Sequence, residues 1–153
     1  MISGLHHVAV LTADIDAAVA QYVALLGGQT PRQVLVDRPG VKLKSAMLPL
    51  GKTGATFLQI IQPIEGPGVE ELQRGGEGAL FEVGFQVEDI EDFNGTLRAR
   101  GASPLDLAER PITQNFIPSK YGNRYSFVPR SITRGTRVEI VQVMREETNP
   151  GGE

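Results

Sequence analysis

Two histidines, His6 and His7, and no cysteine are present in this sequence. That combination narrows the chemistry available to it. Without a thiolate there is no disulfide, no thiolate zinc site, no iron–sulfur cluster and no cysteine nucleophile. What remains is a set of single polar groups embedded in apolar stretches. His7 lies in Leu5–Val10, Gln59 in Leu58–Gln62, Glu82 in Leu80–Phe85 and Glu139 in Val138–Gln142. One imidazole and three oxygen donors suit a six-coordinate divalent ion such as Mn, Co, Ni, Zn or Mg, with two positions left for water or substrate. An ionised carboxylate facing inward needs a compensating charge; a metal supplies it, and so would Arg124 or Lys44.

Residues so far apart in sequence must be gathered by the fold, and the chain repeats itself in a way that does so. Leu5-His6-His7-Val8-Ala9-Val10, followed by Asp14-Ile15-Asp16, matches Leu80-Phe81-Glu82-Val83-Gly84-Phe85, followed by Asp89-Ile90-Glu91, at one gapless offset. Later, Leu58-Gln59-Ile60-Ile61-Gln62 matches Val138-Glu139-Ile140-Val141-Gln142. Alternating β-branched residues predict a strand over 5–11. Asp14 or Thr12 caps a helix over 15–26, which Gly27-Gly28 stops. Strands follow near 33–37, 41–48 and 56–62. The second block gives a strand at 80–87, a helix near 89–100, and strands near 104–108, 124–128 and 136–143. A linker from Glu65 to Gly78, with a short helical piece at Val69 to Arg74, joins them. The expected fold is α+β: two tandem βαβββ modules, residues 4–64 and 79–144, forming one cupped mixed sheet around a shared central site. Residues 1–153 read as one domain with a disordered tail at 145–153, since each module alone leaves its sheet half covered.

Side chains alternate faces along a strand. By that rule His7 shares a face with Leu5 and Ala9, and His6 shares the other with Val8 and Val10. Glu82 and Gly84 likewise share a face, opposite Phe81, Val83 and Phe85. The large apolar face packs under the helix, so His7 and Glu82 turn into the cup, and Gln59 and Glu139 occupy equivalent places on the fourth strands. A pseudo-twofold axis would bring all four together. His6 is expected on the helix side in a structural role. An Fe(II) oxygenase site, which needs two histidines and a carboxylate, is excluded on that ground.

The ordered set His7-Val8-Ala9-Val10, the helix ending at Tyr22 to Gly27, Gln59-Ile60-Ile61-Gln62-Pro63, Val87-Glu88-Asp89-Ile90, Gly122-Asn123-Arg124 and Val138-Glu139-Ile140-Val141-Gln142 resembles the vicinal oxygen chelate (glyoxalase/bleomycin-resistance/dioxygenase) superfamily. Within it, the methylmalonyl-CoA epimerases look most similar, over about residues 4–143. The resemblance implies that His7, Gln59 and Glu139 are metal ligands, and that the fourth ligand, a histidine in those epimerases, is here Glu82. One His, one Gln and two Glu is the residue set of zinc-type glyoxalase I in another order. The epimerases' catalytic glutamate has no counterpart in Val41-Lys42-Leu43-Lys44, which leaves Glu82, Glu139 or Lys44 as candidate bases. The implied activity is metal-dependent isomerisation or epimerisation through an enolate next to a carbonyl. A glyoxalase I-type lyase and a non-catalytic small-molecule binding protein are the alternatives. Family members are usually homodimers.

The formal net charge is −3 over 153 residues, with no basic tract, which argues against a nucleic-acid partner. No apolar run approaches the ~18 residues of a membrane span, and no basic segment precedes an apolar one, so a cytoplasmic protein is expected. From Pro111 through Arg137 there is no acidic residue, while Lys120, Arg124, Arg130 and Arg134 fall in that stretch. It reads as a lid whose Lys120, Arg124 and Arg130 would bind a carboxylate or an acyl-CoA-like substrate.

Overall fold

Asp14 and Asp89, equivalent in the repeat, each begin a helix in the computed structural model, which describes residues 1–144. The tail expected to be disordered, 145–153, lies outside the described residues. The chain runs β1 (Ile2–Leu11), α1 (Ile15–Leu26), β2 (Gln33–Arg38), β3 (Val41–Leu50), β4 (Thr56–Glu65), α2 (Val69–Gly75), β5 (Leu80–Val87), α3 (Ile90–Ala99), β6 (Ile117–Pro118), β7 (Arg124–Val128), α4 (Arg130–Thr133) and β8 (Val138–Gln142). The strands form one mixed sheet in the order β2-β3-β4-β1-β5-β8-β7-β6. β1 pairs parallel with β4, and β5 parallel with β8. The two halves join through the antiparallel pair β1–β5.

Each helix is fixed to its own half by the same device. The Asp14 carboxylate accepts from Ala17 N, and that of Asp89 from Glu91 N and Asp92 N, satisfying amides that the first turn leaves unpaired. Gln62 Oε1 accepts from Ile15 N at 3.0 Å, and its repeat partner Gln142 accepts from Ile90 N at 3.2 Å. Ile15 and Val19 then pack on Val10, Ala46 and Ile60, and Ile90 and Leu97 on Val87, Val128 and Ile140. The other face of the sheet carries Ala9, Leu11, Val41, Leu43, Ile61 and Phe81, and it lines the cup.

The β1–β5 register shifts at three places, between Ile2 and Gly4, Leu5 and His7, and Ala9 and Val10, and the last two bear on the cup. Leu5 pairs with Phe85 but His7 with Gly84, so His6 is an extra residue, a β-bulge. The bulge turns His6 into the cup beside His7, where its ring lies 5.3 Å from that of Phe57. His6 therefore does not face the helix as alternation predicted. Likewise Ala9 pairs with Glu82 but Val10 with Leu80. The extra residue, Phe81, leaves the helix side and joins the cup lining.

The strand expected at 104–108 is also absent. Leu105 makes only isolated bridges to Pro111 and Phe127. The Asp106 carboxylate accepts from Ala108 N and Arg110 N and folds the segment into a turn instead.

Asp14→Ala and Asp89→Ala should each cost about 1 kcal/mol of folding stability, the usual value of an N-cap. Urea unfolding followed by circular dichroism measures both. Costs that differ by more than about threefold would show that the two repeat-related caps are not equivalent.

Candidate metal centre

The imidazole of His7 lies flat against the backbone of Gly84 on the neighbouring strand. A Cβ at position 84 would fall 2.1 Å from His7 Cε1 and 2.3 Å from Nδ1, so only glycine leaves room for the ring. Held there, His7 Nε2 is 3.1 Å from Glu139 Oε2 and 4.0 Å from Glu82 Oε1. One ligand atom from each of the three residues lies within 4.8 Å of the others. Gln59 reaches the same cup from β4. Its Nε2 donates to Ser45 Oγ at 2.9 Å, and its Oε1 is buried without a hydrogen-bond partner. Glu82 Oε2 is buried without a hydrogen bond too, with Arg137 Nε 3.6 Å away. The carboxylate oxygens that face His7 Nε2, with the unpartnered Gln59 Oε1 in the same cup, make an imidazole-and-oxygen donor set that fits a hard divalent cation. The structure thus places His7, Glu82 and Glu139 in one cluster, with Gln59 on the wall of the same cavity.

Burial dominates the electrostatics. It works against a charged His7, yet the charge and hydrogen bond of Glu139, with Glu82 behind, outweigh it and hold the imidazole's pKa above its usual value. Glu82 is fully enclosed. Desolvation and the neighbouring Glu139 push its carboxyl up to about 7, while Arg137 and His7 pull it down. His6 is driven the other way, to about 4, first by burial and then by His7, against a smaller pull from Glu139. At neutral pH it is therefore an uncharged ring, with its Nδ1 2.8 Å from His7 Nδ1.

Arg137 carries the main compensating charge for Glu82, and sequence reasoning missed it. Only 3% exposed, it stands 3.6 Å from Glu82 Oε2 and 3.3 Å from Glu109 Oε1, donates to Leu107 O, and stacks over Phe81 and Phe127. It lies two residues before Glu139 and so on the same strand face. The alternation rule that found Glu139 could have found it.

The cup opens above the cluster, and Ser45, Gln59, Tyr121, Tyr125, Arg38 and Lys120 are among its walls. Ser45 Oγ is 3.0 Å from Tyr121 OH, and burial raises the pKa of that phenol. Of the cations expected to bind substrate, Lys120 reaches the cavity, where it donates to Leu35 O. Arg124 does not: it lies on the other face of β7 from Tyr125, with its guanidinium 4.2 Å from the Phe116 ring. Arg130 is turned away as well, bound to Glu109 and Glu71, acids from outside the loop that neutralise it. Arg38, from β2, lines the cavity in their stead and donates to Tyr125 OH at 3.4 Å. Lys44 cannot serve as a base here. It is exposed on the opposite face of β3 from Val41, Leu43 and Ser45. The residue of that strand that faces the cavity with a polar group is Ser45.

Gly84→Ala should drive the His7 ring off its seat and cost about 1–3 kcal/mol, as overpacking of a tight core does. Thermal unfolding would detect it. Arg137→Met should be costlier, about 3–5 kcal/mol at pH 8, because it leaves Glu82 buried and unpaired. A carboxyl held above its unfolded-state pKa loses stability as pH rises from the ordinary carboxylate range through its folded value. Removing Arg137 raises that folded value further, so the deficit against the parent should shrink at pH 5. Chemical denaturation at the two pH values checks the sign.

The model of the Glyoxalase/Bleomycin resistance protein/Dioxygenase superfamily matches residues 6–116 of this chain. An ethylmalonyl-CoA/methylmalonyl-CoA epimerase of Cereibacter sphaeroides is 29% identical over 145 residues, covering 94% of this chain and 100% of that protein. Among solved structures, Streptomyces coelicolor methylmalonyl-CoA epimerase in complex with 2-nitronate-propionyl-CoA superposes with a TM-score of 0.73 at 20% identity, over 95% of this chain and 100% of that one. The Mycobacterium tuberculosis methylmalonyl-CoA epimerase does so with a TM-score of 0.73 at 22% identity, over 94% and 90%. These structures share the curled sheet of paired modules. With the family model spanning most of the sheet and both central strands, this chain belongs to the Glyoxalase/Bleomycin resistance protein/Dioxygenase superfamily.

Proposed function

We propose that this protein is a metal-dependent epimerase or isomerase that moves a proton on the carbon next to the carbonyl of a small acid or acyl thioester. One observation carries the reading: His7 Nε2, Glu82 and Glu139 converge, beside an unpartnered Gln59 Oε1, at a cavity that Gln59, Glu82 and Glu139 line. The similarity to acyl-CoA epimerases supports the substrate class. His7, Gln59, Glu82 and Glu139 would hold one divalent ion. When bound, the ion supplies Lewis-acid stabilisation of negative charge on the substrate carbonyl.

The chain's own residues do the rest. Glu139 and Glu82 are, among the described residues, the carboxylates that line the cavity, and they are the proposed proton carriers. Glu82 is suited to the role because it is buried beside Glu139, and in the metal-free protein that burial and that neighbour already favour its protonated form. Tyr121 stays a neutral phenol and can donate to a substrate oxygen. Lys120 and Arg38 place positive charge on the cavity wall for a carboxylate or phosphate. Phe81, Leu43, Ile61 and Leu107 exclude water around them. A glyoxalase I-type lyase is the second reading, favoured by the second carboxylate, Glu82.

Protein purified without chelator should contain close to one divalent ion per chain by elemental analysis, and His7→Ala and Glu139→Ala should each lose it. Lys44→Met should keep it. Affinity for Zn(II) or Mn(II) should rise between pH 5 and pH 8, because His7 and Glu82 both hold protons that ligation must displace. Deuterium exchange of candidate acids and acyl-CoA thioesters in heavy water tests the chemistry. Glu82→Gln should slow exchange far more than it weakens metal binding. Absence of metal, and no thermal stabilisation on adding Mn, Co, Ni or Zn, would refute this function. Rapid exchange of methylmalonyl-CoA undiminished in Glu82→Gln would remove Glu82 from the mechanism.

A further inference from the structure

We propose that His6 is a positioning residue: it accepts a hydrogen bond from His7 Nδ1 and so fixes His7 in the one tautomer that presents a lone pair at Nε2. The inference rests on the metal-centre reading and adds a residue to it.

The starting point is the bulge in β1. In a regular strand two successive side chains point to opposite faces. The extra residue at position 6 puts both imidazoles into the cup. Their rings meet edge to face, 5.1 Å apart between centroids at 85°, with the two Nδ1 atoms 2.8 Å apart. At that distance one nitrogen carries the hydrogen and the other accepts it. Among the described residues, His6 is the only hydrogen-bond partner of His7 Nδ1.

The direction of that bond decides what His7 can do. If His6 donated, a neutral His7 would carry its own proton on Nε2, aimed at Glu139 and Glu82, and could not ligate. If His7 donates, the proton that ligation displaces is the one on Nε2, and the lone pair so exposed faces both carboxylates. Ligating histidines almost always donate their other ring N–H to a fixed acceptor, and here the acceptor is the preceding residue. Its environment suits the task. His6 is only 4% exposed and packs against Phe57, so its ring has little freedom to turn away. Gly84 leaves His7 the space to lie in the plane that this bond requires. His6 thus stands behind His7 and not beside it at the cluster. That geometry, and not opposite strand faces, is why the two histidines do not form a pair of ligands at the carboxylate cluster.

Two substitutions separate the acceptor from the packing. In His6→Asn the amide Oδ1 takes the place of Nδ1, since both atoms are one bond beyond Cγ. His6→Leu keeps a branched side chain but accepts nothing. Zinc affinity, measured by competition with a chromophoric chelator, should fall roughly 10–100-fold in His6→Leu, the range seen when such outer partners are removed. His6→Asn should recover most of it. In the zinc-loaded parent protein, ¹⁵N NMR of the imidazoles should show the His7 proton on Nδ1 and the metal on Nε2. Unchanged affinity in a folded His6→Leu variant, or a His7 proton found on Nε2 with zinc on Nδ1, would overturn the proposal. The metal-free parent gives a reading that needs neither a variant nor a metal. There, nitrogen–nitrogen coupling across the hydrogen bond should be seen with the proton attached to His7. A proton attached to His6 would sink the inference. Failure of the parent to bind zinc, with that coupling present, would refute the metal-centre reading and leave the hydrogen bond standing.

Discussion

The antiparallel pairing of β1 with β5 is the contact on which the rest of the structure depends. Among the described residues it is the only strand pair that joins the two halves. It also sets His7 directly across from Gly84 and Ala9 across from Glu82. Slide the pair by one residue and a side chain replaces the hydrogen against which the His7 ring lies. Because side-chain period in a strand is two, such a slip would also turn Glu82 out of the cup. The cluster is therefore a property of register, and the bulges on either side of it help to pin that register.

A second constraint follows from enclosing charge. Glu82 has two neighbours that favour its ionised form, Arg137 and His7, and one that opposes it, Glu139. Arg137 is in turn tied to Glu109, and Glu109 to Arg130, which also binds Glu71. Charge of alternating sign thus runs from the buried cluster to the outer edge of α2. Glu109 adopts a positive φ of 62° to take its place in that run, a conformation that costs a non-glycine residue of order 1 kcal/mol or more. The strain is held by two arginines on one carboxylate.

The sequence made much of this legible, for identifiable reasons. The repeat announced two equivalent halves, and the mirrored strand order is what pairing such halves through their first strands produces. Helix α1 was readable end to end from its apolar spacing, the Asp14 cap and the Gly27 stop. His7, Glu82 and Glu139 were readable because each lies on a strand whose helix-facing side is marked by large aliphatic or aromatic residues. Three features were not readable. A bulge adds one residue without changing composition, so His6 and Phe81 appeared to face the helices. The turn at Asp106 to Arg110 replaces a strand through side-chain bonds to its own backbone, which apolar content at 104–108 conceals. And the basic stretch after Pro111 seemed uncompensated because its partners, Glu71 and Glu109, lie outside it. Lys44 was a different kind of miss: parity with Leu43 and Ser45 was available and points it outward.

The paired glutamine caps have a consequence for how the molecule comes to be. Gln62 and Gln142 each bond a helix to the last strand of its own half, and the helix-packed cores are likewise separate for the two halves. Each half can thus acquire its helix and its face of sheet from contacts within one stretch of about half the chain. The β1–β5 joint is different, since it must close a long loop of chain before it gains anything, and such closures are slow. We expect the joint to form last. The cluster takes His7 and Gln59 from one half and Glu82 and Glu139 from the other, so it cannot exist before that step. A chain that binds its ligand has, by that fact, finished folding, and ligand capture would act as a latch on the slowest contact in the molecule.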